Sequence, residues 1–249
     1  MKQQIDTIPV IEAFDADQEC PFCYLERQAE QKAIRYIIGP GASYMEPDVR
    51  AATDGRGFCR EHYKKMYDYG NHLGNALIMQ TYYVGLLQAL EQQVESFTMP
   101  EKKGLFSKKP TEQLPLAAWA KEKNSTCFLC DKIAYNMQRY YATFFHLIAQ
   151  EEFRQKVEQG KGFCMRHFAK LLEFAPQYLK NAQQEWFYTT TIRLMKENLA
   201  RVQGDLDWFI EKFDYRNASA DWKNSRDAVS RSMGKLKGGY VADPAYKQD

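Results

Sequence analysis

"GRGFCREH", Gly55 to His62, returns as "GKGFCMRH", Gly160 to His167. A G-x-G-F-C-x-x-H element spelled twice in 249 residues marks an internal duplication, and its residue types point to metal chemistry. The chain's six cysteines all obey the same plan. Cys20 and Cys23 form C-x-x-C, Cys59 belongs to the first G-F-C-x-x-H, Cys127 and Cys130 form a second C-x-x-C, and Cys164 belongs to the second G-F-C-x-x-H. None is left over.

The flanking sequence repeats with the motif. Pro9 and Pro115 each open a short apolar lead-in, "IPVIEAF" and "LPLAAWA", ahead of a C-x-x-C, and proline is well tolerated at the first position of a helix. After the first C-x-x-C, Leu25, Ala29, Ala33 and Ile37 recur at helical spacing until Gly39-Pro40-Gly41; after the second, Ile133, Met137, Tyr141, Phe144, Phe145 and Ile148 do the same. A short polar helix, the G-x-G turn and a long helix complete each half. The first long helix is predicted from His62 to Phe97, with Met66, Leu73, Leu77, Val84, Leu87 and Val94 as its stripe. In the second, Pro176 is expected to kink or restart the helix before a stripe that includes Trp186, Met195, Leu199 and Val202. Almost nothing alternates with a period of two.

The expected fold is therefore all-α: a duplicated helical domain, each half stapled by a Cys3His site, with the long helices packed as a bundle. The first repeat falls on residues 1–97, a linker rich in proline and lysine on 98–115, and the second repeat on 116–215. A C-terminal amphipathic helix and tail occupy 216–249. On that helix Trp222, Val229, Met233 and Leu236 share a face that is expected to dock on the bundle, the rival reading being a partner-binding arm. From about Gly238 the chain reads as frayed.

Three thiolates and one imidazole are a usual ligand set for a closed tetrahedral zinc site. C-x-x-C brings two sulfurs to one ion across a tight knuckle, and C-x-x-H at a helix start aims residues i and i+3 the same way. Helix N-termini also favour thiolate. Taking each half by itself, Cys20, Cys23, Cys59 and His62 form one predicted site, and Cys127, Cys130, Cys164 and His167 the other. Two Zn2+ per chain are expected; iron–sulfur clusters at the same ligands are the alternative, because sulfur-rich sites accept either metal. The glycines at 55, 57, 160 and 162 are expected to let the backbone turn sharply beside the ion. A thioredoxin-like dithiol lacks its βαβ context. His72 and His146 read as ordinary helical histidines, and "GNHLG", Gly70 to Gly74, as a close helix crossing.

No nucleotide-binding loop, nucleophile elbow or H-E-x-x-H is present, and no catalytic residue is assigned. The formal charge of +2 exerts no global pull on nucleic acid, and six thiolate charges against two divalent ions would bring it to 0. No apolar run reaches the length of a membrane span or a signal peptide, so a cytoplasmic, reducing setting is expected, in which clustered cysteines favour metal over disulfides.

The stretches "CPFCYLERQAEQKAIRYIIG", "SYMEPDVR", "GFCREHY", "GNHLG" and "FDYRN" with the following "NSRDAV" together resemble an uncharacterised family of cytosolic bacterial proteins, largely from anaerobic Firmicutes, classed as a domain of unknown function. The resemblance covers most of residues 8 to 237. It implies bacterial origin and metal-type cysteines, and transfers no activity. The functional expectation is a metal-binding, non-enzymatic interaction or accessory protein with a protein partner. Its alternatives are an iron–sulfur or redox accessory protein of an anaerobe and, not favoured, an RNA- or DNA-binding protein using the basic tail and linker.

Overall fold

The computed structural model describes residues 6–41, 43–99 and 114–247. Eleven α-helices and two 3-10 turns, with no strand, make up the regular structure of the described residues. Five helices from the first half match five from the second in order. The lead-ins are α1 (Thr7–Asp15) and α6 (Pro115–Ser125), and the helices that follow each C-x-x-C are α2 (Pro21–Ile38) and α7 (Phe128–Leu147). Then come α3 (Pro47–Arg56) and α8 (Glu151–Gln159), α4 (Arg60–Tyr69) and α9 (Met165–Tyr178), and α5 (His72–Glu95) and α10 (Asn181–Glu211). Among the described residues helix α11 (Ala228–Lys237) has no counterpart. The all-α, duplicated reading holds; most of the predicted linker, residues 100–113, lies outside the described residues.

The long helices predicted from His62 and from His167 are each broken once. Helix α4 ends at Gly70, whose φ of 101° terminates it, and the Asn71 side chain caps α5 by accepting from the Gly74 N–H. A Cβ on Gly74 would lie 2.8 Å from the Asn71 side chain, so this glycine makes room for the cap and not for a helix crossing. In the second half Pro176 is accommodated inside α9, and the break follows at Leu179 and Lys180.

The chain divides into two compact units. One comprises residues 1–29 and 134–244, the other 30–133 and 245–249. The first has an aromatic core. Phe14 stacks on Phe144 at 5.6 Å and Phe22 on Tyr141 at 4.8 Å, while Phe153, Phe163 and Phe187 close edge-on around Phe144. The second has an aliphatic core in which Ile34, Ile37 and Ile38 of α2 meet Phe58, Met66, Tyr69 and Ile78. The phenylalanine of each G-F-C turn is thus a core anchor next to a predicted ligand, each such burial being worth about 1.5–3 kcal/mol.

Helix α5 departs from expectation. Packed on α3, α4 and α6, it turns Gly74 and Ile78 inward and leaves Leu73 (68% exposed) and Leu87 (55% exposed) facing out with Val84 and Val94. Those side chains were expected to be covered in the bundle. The helix has two apolar sides, and the sequence pattern did not say which one faces the core.

Helix α11 docks on α9 and α10, but by the opposite face from the one its apolar pattern indicated. Val229, Met233 and Leu236 are exposed, whereas Ala228 and Lys235 are buried; Trp222, expected on the same face, lies before the helix and packs on Phe209 at 5.8 Å. Lys235 donates to the carbonyls of Glu19 and Lys161 and sits 3.2 Å from the Glu19 carboxylate. Arg231 pairs with Asp205 at 2.6 Å, and Arg201 reaches Glu19 at 2.6 Å. Satisfied ion pairs, not a greasy face, hold this helix in place.

Candidate metal centres

The eight predicted ligand residues come together in two groups of four, but the predicted pairing is wrong. Cys20 and Cys23 join Cys164 and His167, whereas Cys59 and His62 join Cys127 and Cys130. Each C-x-x-C meets the G-F-C-x-x-H of the other half. The cause lies in where the core anchors put the chain. Phe58 packs among Ile34, Ile37 and Ile38, so His62 arrives beside Glu30, about 10 Å of helix rise beyond Cys23. His167 likewise lies by Tyr141, about 16 Å of rise beyond Cys130 on α7. Metal–ligand bonds of about 2.0–2.3 Å cannot bridge such offsets.

In the α2–α9 group, His167 Nδ1 is 3.4 Å from Cys20 Sγ, 3.4 Å from Cys23 Sγ and 3.3 Å from Cys164 Sγ, and the Cys23 and Cys164 sulfurs are 3.6 Å apart. All four residues are buried. In the α4–α7 group, His62 Nδ1 is 3.3 Å from Cys59, 3.2 Å from Cys127 and 3.4 Å from Cys130, with Cys59 and Cys130 3.8 Å apart. Here Cys127 and His62 are buried, Cys59 is half-buried and Cys130 is exposed. Within each group all four ligand atoms lie within 4.8 Å of one another.

Local structure aims these atoms. Cys59 and Cys164 are the N-caps of α4 and α9, so each histidine, three residues on, points back over its cysteine. Only the second glycine of each G-x-G has a special backbone: Gly57 ends α3 at φ 58°, ψ −158°, where a Cβ would be 2.9 Å from Tyr82, and Gly162 has φ 70°. Gly55 is an ordinary helical residue facing open space, so the expectation for the first glycine was unnecessary. Backbone N–H groups also reach the sulfurs, from Cys130 to Cys127, from His167 to Cys164 and from Gly239 to Cys23, each at 3.4 Å.

Crowded sulfurs resist ionising together. Burial, with Cys164 and Cys23 close by, pushes the Cys20 thiol well up. Cys23 rises to about 12, chiefly through Cys164, and Cys130 to about 12, through burial and then Cys127. One sulfur in each group is pulled the other way. Cys164 is held far down by hydrogen bonds from Cys20 and Cys23. Burial would raise Cys127, but His62 and the N–H groups of Cys130 and Cys59 bring it down to about 6. His62 is pushed up to about 10: burial opposes the shift, and Cys127 and Glu30 outweigh it. A divalent cation held at the centre of either group would relieve this conflict, because it would favour all three thiolates at once.

Several contributors to these centres escaped the sequence reading. His62 Nε2 meets the Glu30 carboxylate at 3.1 Å, and Lys65 holds that carboxylate at 2.6 Å. On the other side His167 Nε2 lies 4.0 Å from Glu26, which Arg166 binds at 2.8 Å. The Glu30 contact orients the His62 imidazole so that Nδ1 faces the three sulfurs, while Glu26 is too far from His167 for a hydrogen bond. Their signal was present: Glu26 and Glu30 follow Cys23 at i+3 and i+7, one face of α2. Gly238 and Gly239, expected to fray, instead lie against Cys164 and Cys23. His72 and His146 are exposed and join neither group.

These features define a class: an all-helical, internally duplicated protein with two crossed Cys3His clusters that could each hold a metal ion. The chain belongs to the family of unknown function DUF6062, which it matches over residues 1–243. No curated protein and no solved structure matches it.

Proposed function

We propose that both clusters are structural zinc sites and that the protein acts without catalysing a reaction, as an interaction or accessory protein. The ligand spacing supports this reading most directly. Bonds of about 2.3 Å to sulfur and 2.0–2.1 Å to nitrogen at tetrahedral angles call for ligand atoms about 3.8 and 3.5 Å apart. One sulfur pair in each group is 3.6 or 3.8 Å apart, the other pairs lie within 4.8 Å, and the six nitrogen–sulfur distances run from 3.2 to 3.4 Å. An iron–sulfur cluster spreads its ligands over two or more irons and needs them farther apart, which weighs against that alternative. Four protein ligands leave a tetrahedral ion no open position for a substrate, which favours a structural role.

A protein partner fits the surface. Leu73, Val84, Leu87 and Val94 give α5 an apolar, outward-facing side with only Glu91 and Glu95 as charged residues along the helix. Among the described residues no helix is long and apolar enough to cross a membrane. Elemental analysis of protein purified without oxygen tests the metal reading. Two zinc per chain and no visible absorption are expected; inorganic sulfide with iron and a visible band would replace it with the iron–sulfur alternative.

A further inference from the structure

The two clusters share ligand types and differ in shelter. At the α2–α9 group all four ligands are buried, and the tail lies over the sulfurs: the Gly239 N–H binds Cys23 Sγ, and a Cβ on Gly238 would come within 3.3 Å of Cys164 Sγ. At the α4–α7 group Cys130 is exposed and Cys59, half-buried, has its sulfur 3.8 Å away. Access decides which of several metal-bound thiolates an oxidant reaches. We infer that the α4–α7 group is an oxidisable metal site, in which Cys130 is the sulfur attacked by a peroxide and Cys59 the one that closes a disulfide with it, expelling the metal, while the α2–α9 group stays loaded.

The chemistry balances with hydrogen peroxide as oxidant. The Cys130 thiolate attacks one peroxide oxygen, an S–O bond forms, the O–O bond breaks and hydroxide leaves, giving a sulfenic acid. The Cys59 thiolate then attacks that sulfur, an S–S bond forms, the S–O bond breaks and a second hydroxide leaves. Two thiolates have lost two electrons and the peroxide has gained them. The ion keeps only Cys127 and His62, half its ligands, and dissociates. Closing the bond needs the two sulfurs to approach from 3.8 Å to about 2.05 Å, which side-chain rotation of exposed and half-exposed cysteines can contribute to more readily than motion in a sealed cluster.

The inference rests on the metal reading above, and one experiment separates the two. Full-length protein is first assayed for zinc, then treated with hydrogen peroxide in the presence of a chromophoric zinc chelator, and the cysteines are mapped by mass spectrometry. Fewer than two metals per chain at the start counts against the metal reading itself. With two present, the expected result is release of one zinc at least about tenfold faster than the other, together with a Cys59–Cys130 disulfide, both reversed by a dithiol reductant and added zinc. Release of both ions at one rate, or earlier oxidation of Cys20, Cys23 or Cys164, overturns the proposal. A Cys127–Cys130 disulfide in place of Cys59–Cys130 overturns the role given to Cys59.

Discussion

Gly238 shows how much a single backbone position contributes to a centre far from it in sequence. Its φ of 82° and ψ of 173° lie in a region essentially restricted to glycine, where another residue costs about 1–3 kcal/mol. A Cβ there would also meet the Arg166 guanidinium at 3.2 Å and Cys164 Sγ at 3.3 Å. Gly238→Ala should therefore displace the tail from the α2–α9 group. In a competitive chelator titration one of the two ions should become easier to remove while the other is unchanged. A titration that superimposes on the parent's would show that the tail merely rests on the sulfurs. At this scale the eight residues that gather in the two clusters were legible, because cysteine and histidine in a repeated pattern have few other uses. Gly238 was not, because a glycine pair near a chain end reads equally well as slack.

Helix α11 carries the lesson at the scale of the element. Its apolar stripe predicted the docking but named the wrong face, since Glu19 and Asp205, which satisfy Lys235 and Arg231, are remote in sequence. Pattern rules assume that a buried helix face is apolar; they fail where the core offers charge partners. The same blindness concealed which side of α5 faces inward, whereas α2 and α7, apolar on one side only, were read correctly. Two substitutions test the inverted face. Lys235→Met leaves the carbonyls of Glu19 and Lys161 without this donor and Glu19 short of one cation, and should cost about 3–5 kcal/mol in denaturant melts. Leu236→Gln, next to it but 56% exposed, should stay within about 0.5 kcal/mol. Equal losses from both, or a larger loss from Leu236→Gln, would restore the apolar face as the docking side.

For the whole molecule the consequential feature is the crossing of the motifs between the halves. Two identical ligand sets can be paired within halves or across them, and spacing along the chain does not choose, just as cysteine spacing alone does not give disulfide connectivity. The choice is made by Phe58 and Phe163, which seat each G-F-C turn in a core beside the opposite C-x-x-C. Metal counting reads the pairing directly. In the crossed arrangement Cys23→Ala with Cys164→Ala removes two ligands from one site and should leave one zinc per chain. Cys23→Ala with Cys59→Ala damages both sites and should leave none held tightly. Pairing within halves gives the reverse, no zinc for the first double variant and one for the second. Each lost zinc also removes folding free energy, so the second variant should melt well below the first, isolated zinc modules deriving about 10 kcal/mol or more from their ion. Should it fail to fold, the first variant still decides, since a count of one requires Cys23 and Cys164 to share an ion and a count of zero would falsify the crossed pairing.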